Sequence, residues 1–162
     1  MKRVMSLAAA AVIIAGAMLA AQAPPNFAGK WTLVPDPNAT PGGAGRGPGG
    51  IGQSAVIVQD AAALTITRTT PMGEFTSTYK LDGSESKNTF NMQGNAIEQV
   101  SKVKWDGGKL LVNTTMDFGG NPVATSMTLS LDAAGNLLVE STRPDFQGGG
   151  APVTTKATYK KS

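Results

Sequence analysis

The sequence predicts an all-β protein: a single antiparallel up-and-down barrel of about eight to ten strands. Three observations lead there. From Ser54 onward, apolar and polar residues alternate in short segments, the period-two pattern of half-buried strands. Those segments are punctuated by Asp82-Gly83, Asp106-Gly107-Gly108, Gly119-Gly120-Asn121 and Gly135-Asn136, which tolerate the positive φ that tight hairpins demand. Beyond the N-terminal apolar run no stretch has helical spacing. A long series of hairpin-linked strands must then cover its own apolar face, and closing the sheet on itself does so while removing exposed edges.

Taken in order, the chain of 162 residues opens with Met1-Lys2-Arg3 and an uncharged apolar run from Val4 to Ala21. A positive start followed by such a run is the layout of a secretory signal peptide. The run is Ala-rich and shorter than the ~20 residues of a spanning helix, so no stable membrane span is expected once it is removed. Ala21-Gln22-Ala23 fits the small-x-small cleavage rule, although Pro24 would follow the cut. Residues 1–23 are therefore read as the leader and 24–162 as one domain, exported to the periplasm or the medium. With no cysteine in the chain, neither a disulfide framework nor a Cys-linked lipid anchor is available, and stability rests on the core. Once Lys2 and Arg3 leave with the leader, Lys and Arg barely exceed Asp and Glu. No concentrated basic face remains for phosphate binding, so nucleic acid is not an expected partner.

Asn26-Phe27-Ala28-Gly29-Lys30-Trp31 opens the first strand, which runs on through Val34 and breaks at Pro35-Asp36-Pro37. A Trp ring buries on the order of 200 Å², so Trp31 is expected to plug the barrel. Residues 35–52 form a Gly/Pro-rich loop whose only basic residue is Arg46. No Gly-Lys-Ser or Gly-Lys-Thr closes it, so it is not a phosphate loop. Strands follow over 54–59, 64–70, 74–81, 88–92, 96–105, 109–117, 123–131 and 137–143. A second Gly/Pro loop spans Pro144 to Pro152, and Val153 to Lys161 closes the sheet.

Alternation assigns the faces. Ile97, Gln99, Ser101, Val103 and Trp105 share one face, as do Phe75, Ser77, Tyr79 and Leu81, and Val123, Thr125, Met127, Leu129 and Leu131. These inward rows mix large apolar groups with hydroxyls and amides, and an unpaired buried polar atom costs roughly 1–3 kcal/mol. Either the polar groups line a partly wet pocket or they bond one another and buried water. The expected barrel-interior site is Phe75, Ser77, Tyr79, Gln99, Ser101, Met116, Thr125 and Met127. Arg143 shares the parity of Leu137 and Val139; it either reaches the barrel end and lies over the Trp31 ring or faces solvent.

The chain has no His and no Cys, so it lacks the usual general base, thiol nucleophile and transition-metal ligands. Glu98 and Glu140 lie on strands, while Asp60, Asp82, Glu85, Asp106 and Asp132 sit in turns, and nothing in their spacing converges two carboxylates for glycoside hydrolysis. Asp132, Asn136 and Glu140 offer too few oxygens for a calcium loop and read as a hairpin. No catalytic residues, no metal and no cofactor are expected.

Gly29-Lys30-Trp31 resembles the Gly-x-Trp motif of the lipocalin and calycin superfamily, and the start Asn-Phe-x-Gly-x-Trp resembles that of uncharacterised exported lipocalin-like proteins of bacteria. The resemblance implies that Trp31 plugs the closed end, that an Arg near the last strands, here Arg143, packs across it, and that the loop after the first strand lies over the open end. The chain departs from the family in lacking a disulfide and a helix before its last strand. The expected function is binding of a small, mainly apolar molecule or lipid by a monomeric exported protein. The alternative is a non-catalytic structural or interaction module of the cell envelope, with its two Gly/Pro loops carrying the contacts.

Overall fold

The structure, a computed structural model, describes residues 23–37, 50–70, 73–92, 94–117, 119–145 and 149–162. The expected leader and the central part of the first Gly/Pro loop lie outside the described residues. Ten strands are present: β1 Gly29–Leu33, β2 Ser54–Gln59, β3 Ala63–Thr70, β4 Gly73–Lys80, β5 Ser86–Met92, β6 Asn95–Asp106, β7 Lys109–Asp117, β8 Pro122–Leu131, β9 Leu137–Arg143 and β10 Val153–Lys161. All pairings are antiparallel, in the order β4-β3-β2-β1-β10-β9-β8-β7-β6-β5. This is the expected all-β up-and-down barrel, with no helix among the described residues.

First and last strands meet in the middle of that order. β1 pairs β10 with Trp31 opposite Lys161 and Leu33 opposite Tyr159, and pairs β2 with Trp31 opposite Ala55. The segment before β1 is pinned so that its aromatic enters the core. Phe27 N donates to Gln59 Oε1 at 2.8 Å, Gln59 Nε2 donates to Pro25 O at 3.1 Å, and Ala28 N donates to Asn26 Oδ1 at 2.8 Å. Phe27 and Trp31 are both fully buried, and Trp31 Nε1 donates to Phe27 O at 2.8 Å, satisfying the indole in the interior. Gly29 has φ +148°, and a Cβ there would collide with the Lys161 side chain. Its lack of a side chain lets the Lys161 stem cross the strand and set its ammonium 5.5 Å from the Trp31 ring centroid.

That contact corrects one expectation. The cation over Trp31 is Lys161; Arg143 is paired with Val153, at the far end of β10. At ~3.3 Å per residue the two ends of that strand are roughly 26 Å apart, and parity carries no information about that height.

The barrel is closed differently on its other side. β4 and β5 lie side by side without a main-chain ladder, and side chains of β5 bridge the seam. Asn88 Oδ1 accepts from Thr78 N at 2.8 Å, Asn88 Nδ2 donates to Thr78 O at 3.1 Å, and Ser86 Oγ accepts from Lys80 N at 2.8 Å. Further along the seam Phe75 and Phe90 meet edge to face at 6.0 Å.

Hairpin aspartates hold the turns. Asp132 Oδ1 accepts from the backbone N–H of Ala134 and Asn136, and its Oδ2 accepts from Asn136 Nδ2. Asp60 caps Ala62 and Ala63, and Asp82 caps Ser84. The Asp132–Asn136 pair is thus a hairpin clasp, as its sequence implies.

Two outcomes follow from this frame. Trp31→Ala should cost about 3–5 kcal/mol of unfolding free energy. Tyr159→Phe, which removes the buried 2.7 Å bond from Tyr159 OH to Gly52 O, should cost about 1 kcal/mol; urea unfolding measures both. Hydrogen bonds depress the Asp60, Asp82 and Asp132 carboxyls below their ordinary value of 3.8, through the backbone of Ala62 and Ala63, through Ser84, and through Asn136 respectively. The stability they add is complete above that value and is lost as pH falls through the lowered folded values. Thermal midpoints taken from about pH 5 down to about pH 2 should therefore fall, and less steeply in a combined Asp60→Asn, Asp82→Asn, Asp132→Asn variant.

Candidate functional site

The interior divides into two halves. At the end where β1 begins, Phe27, Trp31, Leu110, Leu129 and Leu137 are fully buried and pack together, and Phe27 stacks on Trp105 with ring centroids 6.0 Å apart. That half is solid. At the other end the segment Gly50–Gln53 enters over the interior: Ile51 is fully buried, Gly52 accepts the Tyr159 hydroxyl, and Gln53 O accepts from Leu33 N at 2.9 Å. Beneath it lies a cavity of about 30 Å³, lined by Gly50, Ile51, Ile66, Arg68, Ser77, Tyr79, Gln99, Thr114, Thr125 and Met127. At ~10–15 Å³ per molecule it has room for about two waters.

Five of the eight interior residues expected from alternation line this cavity: Ser77, Tyr79, Gln99, Thr125 and Met127. The other three stand behind its wall. Ser101 shares a 2.8 Å hydroxyl bond with Thr114, and Met116 Sδ accepts from Gln99 Nε2 at 3.0 Å, so each orients a lining residue from behind. Phe75 lies half-buried under the guanidinium of Arg68, whose Cζ is 5.5 Å from the ring centroid.

Arg68 is the residue that alternation overlooked as a site. It shares the inward parity of Leu64 and Ile66 on β3, both buried, and that parity was the available signal. Its Nη1 donates to Gly50 O at 2.9 Å, while its buried Nε has no hydrogen-bond partner. Burial pulls the guanidinium below its ordinary pKa, and the neighbouring Tyr79 partly offsets this. Burial likewise raises Tyr79, against smaller opposing effects of Ser77 and Arg68. All eleven Asp and Glu side chains of the chain belong to described residues, and none of them acts on Arg68. The site therefore contains a cation without a carboxylate counter-ion.

Carboxylates elsewhere do not assemble a reaction centre. Glu98 pairs with Lys87 at 3.5 Å and Glu140 with Lys156 at 3.0 Å, both on the outer surface. No group of acidic side chains among the described residues is arranged to hold a metal. An open groove of about 780 Å³ runs across β6–β9, lined by Val100, Thr115, Ala124 and Ser126 together with Thr114 and Thr125, which also line the cavity. Arg143 also lines this groove, beside Pro144 and Asp145.

No protein-family model matches the chain, and no curated protein matches it. Among solved structures it is similar to the zebrafish ileal bile acid-binding protein crystallised with cholic acid. The TM-score is 0.53 and the identity 24%, over 84% of this chain and 98% of that one. The likeness shows the fold, an antiparallel β-barrel.

A part-buried charge without an opposite charge is a cost to the fold. Arg68→Met should therefore leave the urea midpoint unchanged or raise it. A loss of more than about 1 kcal/mol would instead show that the bond to Gly50 and the contact with Phe75 carry the residue.

Proposed function

We propose that this chain is an exported, non-catalytic small-molecule-binding protein whose site is the half of the barrel interior beneath Gly50–Gln53. The observation that supports it is the contrast between the halves. One end is filled with packed aromatic and aliphatic groups, while the other keeps hydroxyls, an amide and a guanidinium around a cavity. A barrel serving only as scaffold gains nothing from that second lining, because each buried polar group must be desolvated and matched. Ile51, Ile66, Tyr79 and Met127 supply apolar wall, and the polar groups fix orientation, the usual division of labour in a ligand pocket. The volume of about 30 Å³ confines the occupant to a small molecule unless the walls yield. A ligand mainly apolar in character would leave Arg68 and the hydroxyls unmatched, so we assign one that pairs an apolar part with a polar group. The positively charged start and apolar run of the N-terminus support export. The protein acts as a monomer, without nucleic acid and without a membrane span once the leader is removed.

The open groove of about 780 Å³ favours a second reading, a protein-interaction module of the cell envelope that uses the Pro144–Pro152 loop. Native mass spectrometry of protein recovered from the exporting cell's own envelope or medium distinguishes the two. The first reading expects a small molecule to co-purify. Ligand-free protein that retains a protein partner, and loses it when residues 146–150 are deleted, would establish the second.

A further inference from the structure

Ile51 lies on no strand and stands between two glycines. It is nevertheless 1% exposed and packs into the same cluster as the inward side chains of the strands. Its segment is tied to the barrel through its carbonyls: Gly50 O accepts from Arg68 Nη1 at 2.9 Å, Gly52 O from Tyr159 OH at 2.7 Å and Gln53 O from Leu33 N at 2.9 Å. Those donors belong to β3, β10 and β1. Gly52 permits the approach. Its φ is +82°, and a Cβ there would stand 3.0 Å from Thr69 O, so a side chain would push this strap off β3.

The strap also accounts for Arg68, whose Nη1 holds it while the guanidinium lies against the Phe75 ring. No pairing between barrel strands runs through Gly50–Gln53, so withdrawing the strap breaks no ladder. The cavity of about 30 Å³, lined by Gly50 and Ile51 themselves, is the space the strap leaves over. The sec-butyl group of Ile51 and that room for about two waters together make space for one ring of benzene size. We infer that Ile51 is the interior's own occupant and that the barrel takes a ligand by expelling it, so that Gly50–Gln53 autoinhibits the site. This rests on the interior-binding reading above and gives that site its regulation. A ligand then competes with Ile51, and its apparent affinity is set by the fraction of chains with the strap out.

The test is an NMR titration of residues 24–162 with benzene, read on the amides of Ser77 and Gln99 and on the Ile51 methyls. Gly52→Ala keeps every interior side chain and loosens the strap, so it should bind benzene at least tenfold more tightly than the native chain. Gly83→Ala makes the same change at a glycine of the same φ, +82°, between β4 and β5, and should stay within about twofold. Ile51→Ala should also bind at least tenfold more tightly. In the native chain the NOEs between the Ile51 methyls and the interior should vanish as benzene saturates. Unchanged affinity in Gly52→Ala, or interior NOEs that persist with benzene bound, overturns the autoinhibition; saturable binding in that case leaves the interior-binding reading standing. Failure of benzene to bind even Ile51→Ala removes both. Should Gly52→Ala not give a folded amide spectrum, Tyr159→Phe, which removes the bond to Gly52 O, takes its place. Its expected tightening is about fivefold, and no tightening overturns the autoinhibition.

Discussion

Everything in this molecule depends on one requirement: a sheet that no helix among the described residues covers must hide its inner face by curling until its ends meet. The pairing of β1 with β10 carries that requirement, and Phe27, Trp31 and Lys161 secure the pairing. Trp31 fills the interior with an aromatic whose N–H is satisfied by Phe27 O, and Lys161 lies across the gap that Gly29 leaves. The Asn-Phe-x-Gly-x-Trp start is thereby explained residue by residue as structure. Asn26 shapes the entry, Phe27 and Trp31 are the plug, and Gly29 is the clearance for a lysine from the other end of the chain. None of these residues touches the cavity.

The same closure sets up the functional contrast. Because the plug occupies one end, the large side chains of β7, β8 and β9 pack against it at Leu110, Leu129 and Leu137. Further along the same strands the inward residues become Thr114, Thr125 and Ser141. The change from aliphatic to hydroxyl along single strands is the physical origin of the two halves. Hydrogen bonds among the wall residues, such as Ser101 to Thr114 and Gln99 to Met116, match part of this polarity and leave Arg68 as the exception. The barrel geometry supplies the enclosure, and what it encloses is decided by these few inward positions.

Much of this was legible in the sequence, because strand alternation and hairpin dipeptides are local signals. Ten strands emerge among the described residues, within the eight to ten expected from alternation, and five inward residues from three separate strands meet at one cavity. What was not legible is height along the barrel. Parity says which face a side chain occupies but not which neighbour it reaches, since that depends on the stagger of strands distant in sequence. Parity therefore left Arg143 open between the Trp31 ring and solvent, although a whole strand length separates it from Trp31, and gave no sign that Lys161 would be the cation there. Arg68 was missed for a different reason. An inward arginine contradicts the expectation that charges face water, yet its alternation with Leu64 and Ile66 was as regular as that of any residue chosen.

The seam between β4 and β5 has a consequence for the barrel's girth. In a fully laddered barrel, strand number and stagger set the circumference, because every neighbour is held at the fixed spacing of peptide hydrogen bonds. Here one neighbour pair escapes that rule, and its separation is set by the reach of two short side chains, Asn88 and Ser86. The bore is consequently a quantity that two point substitutions can alter without touching any ladder. A longer amide at position 88 would let the collar out, and the space above the plug would widen with it.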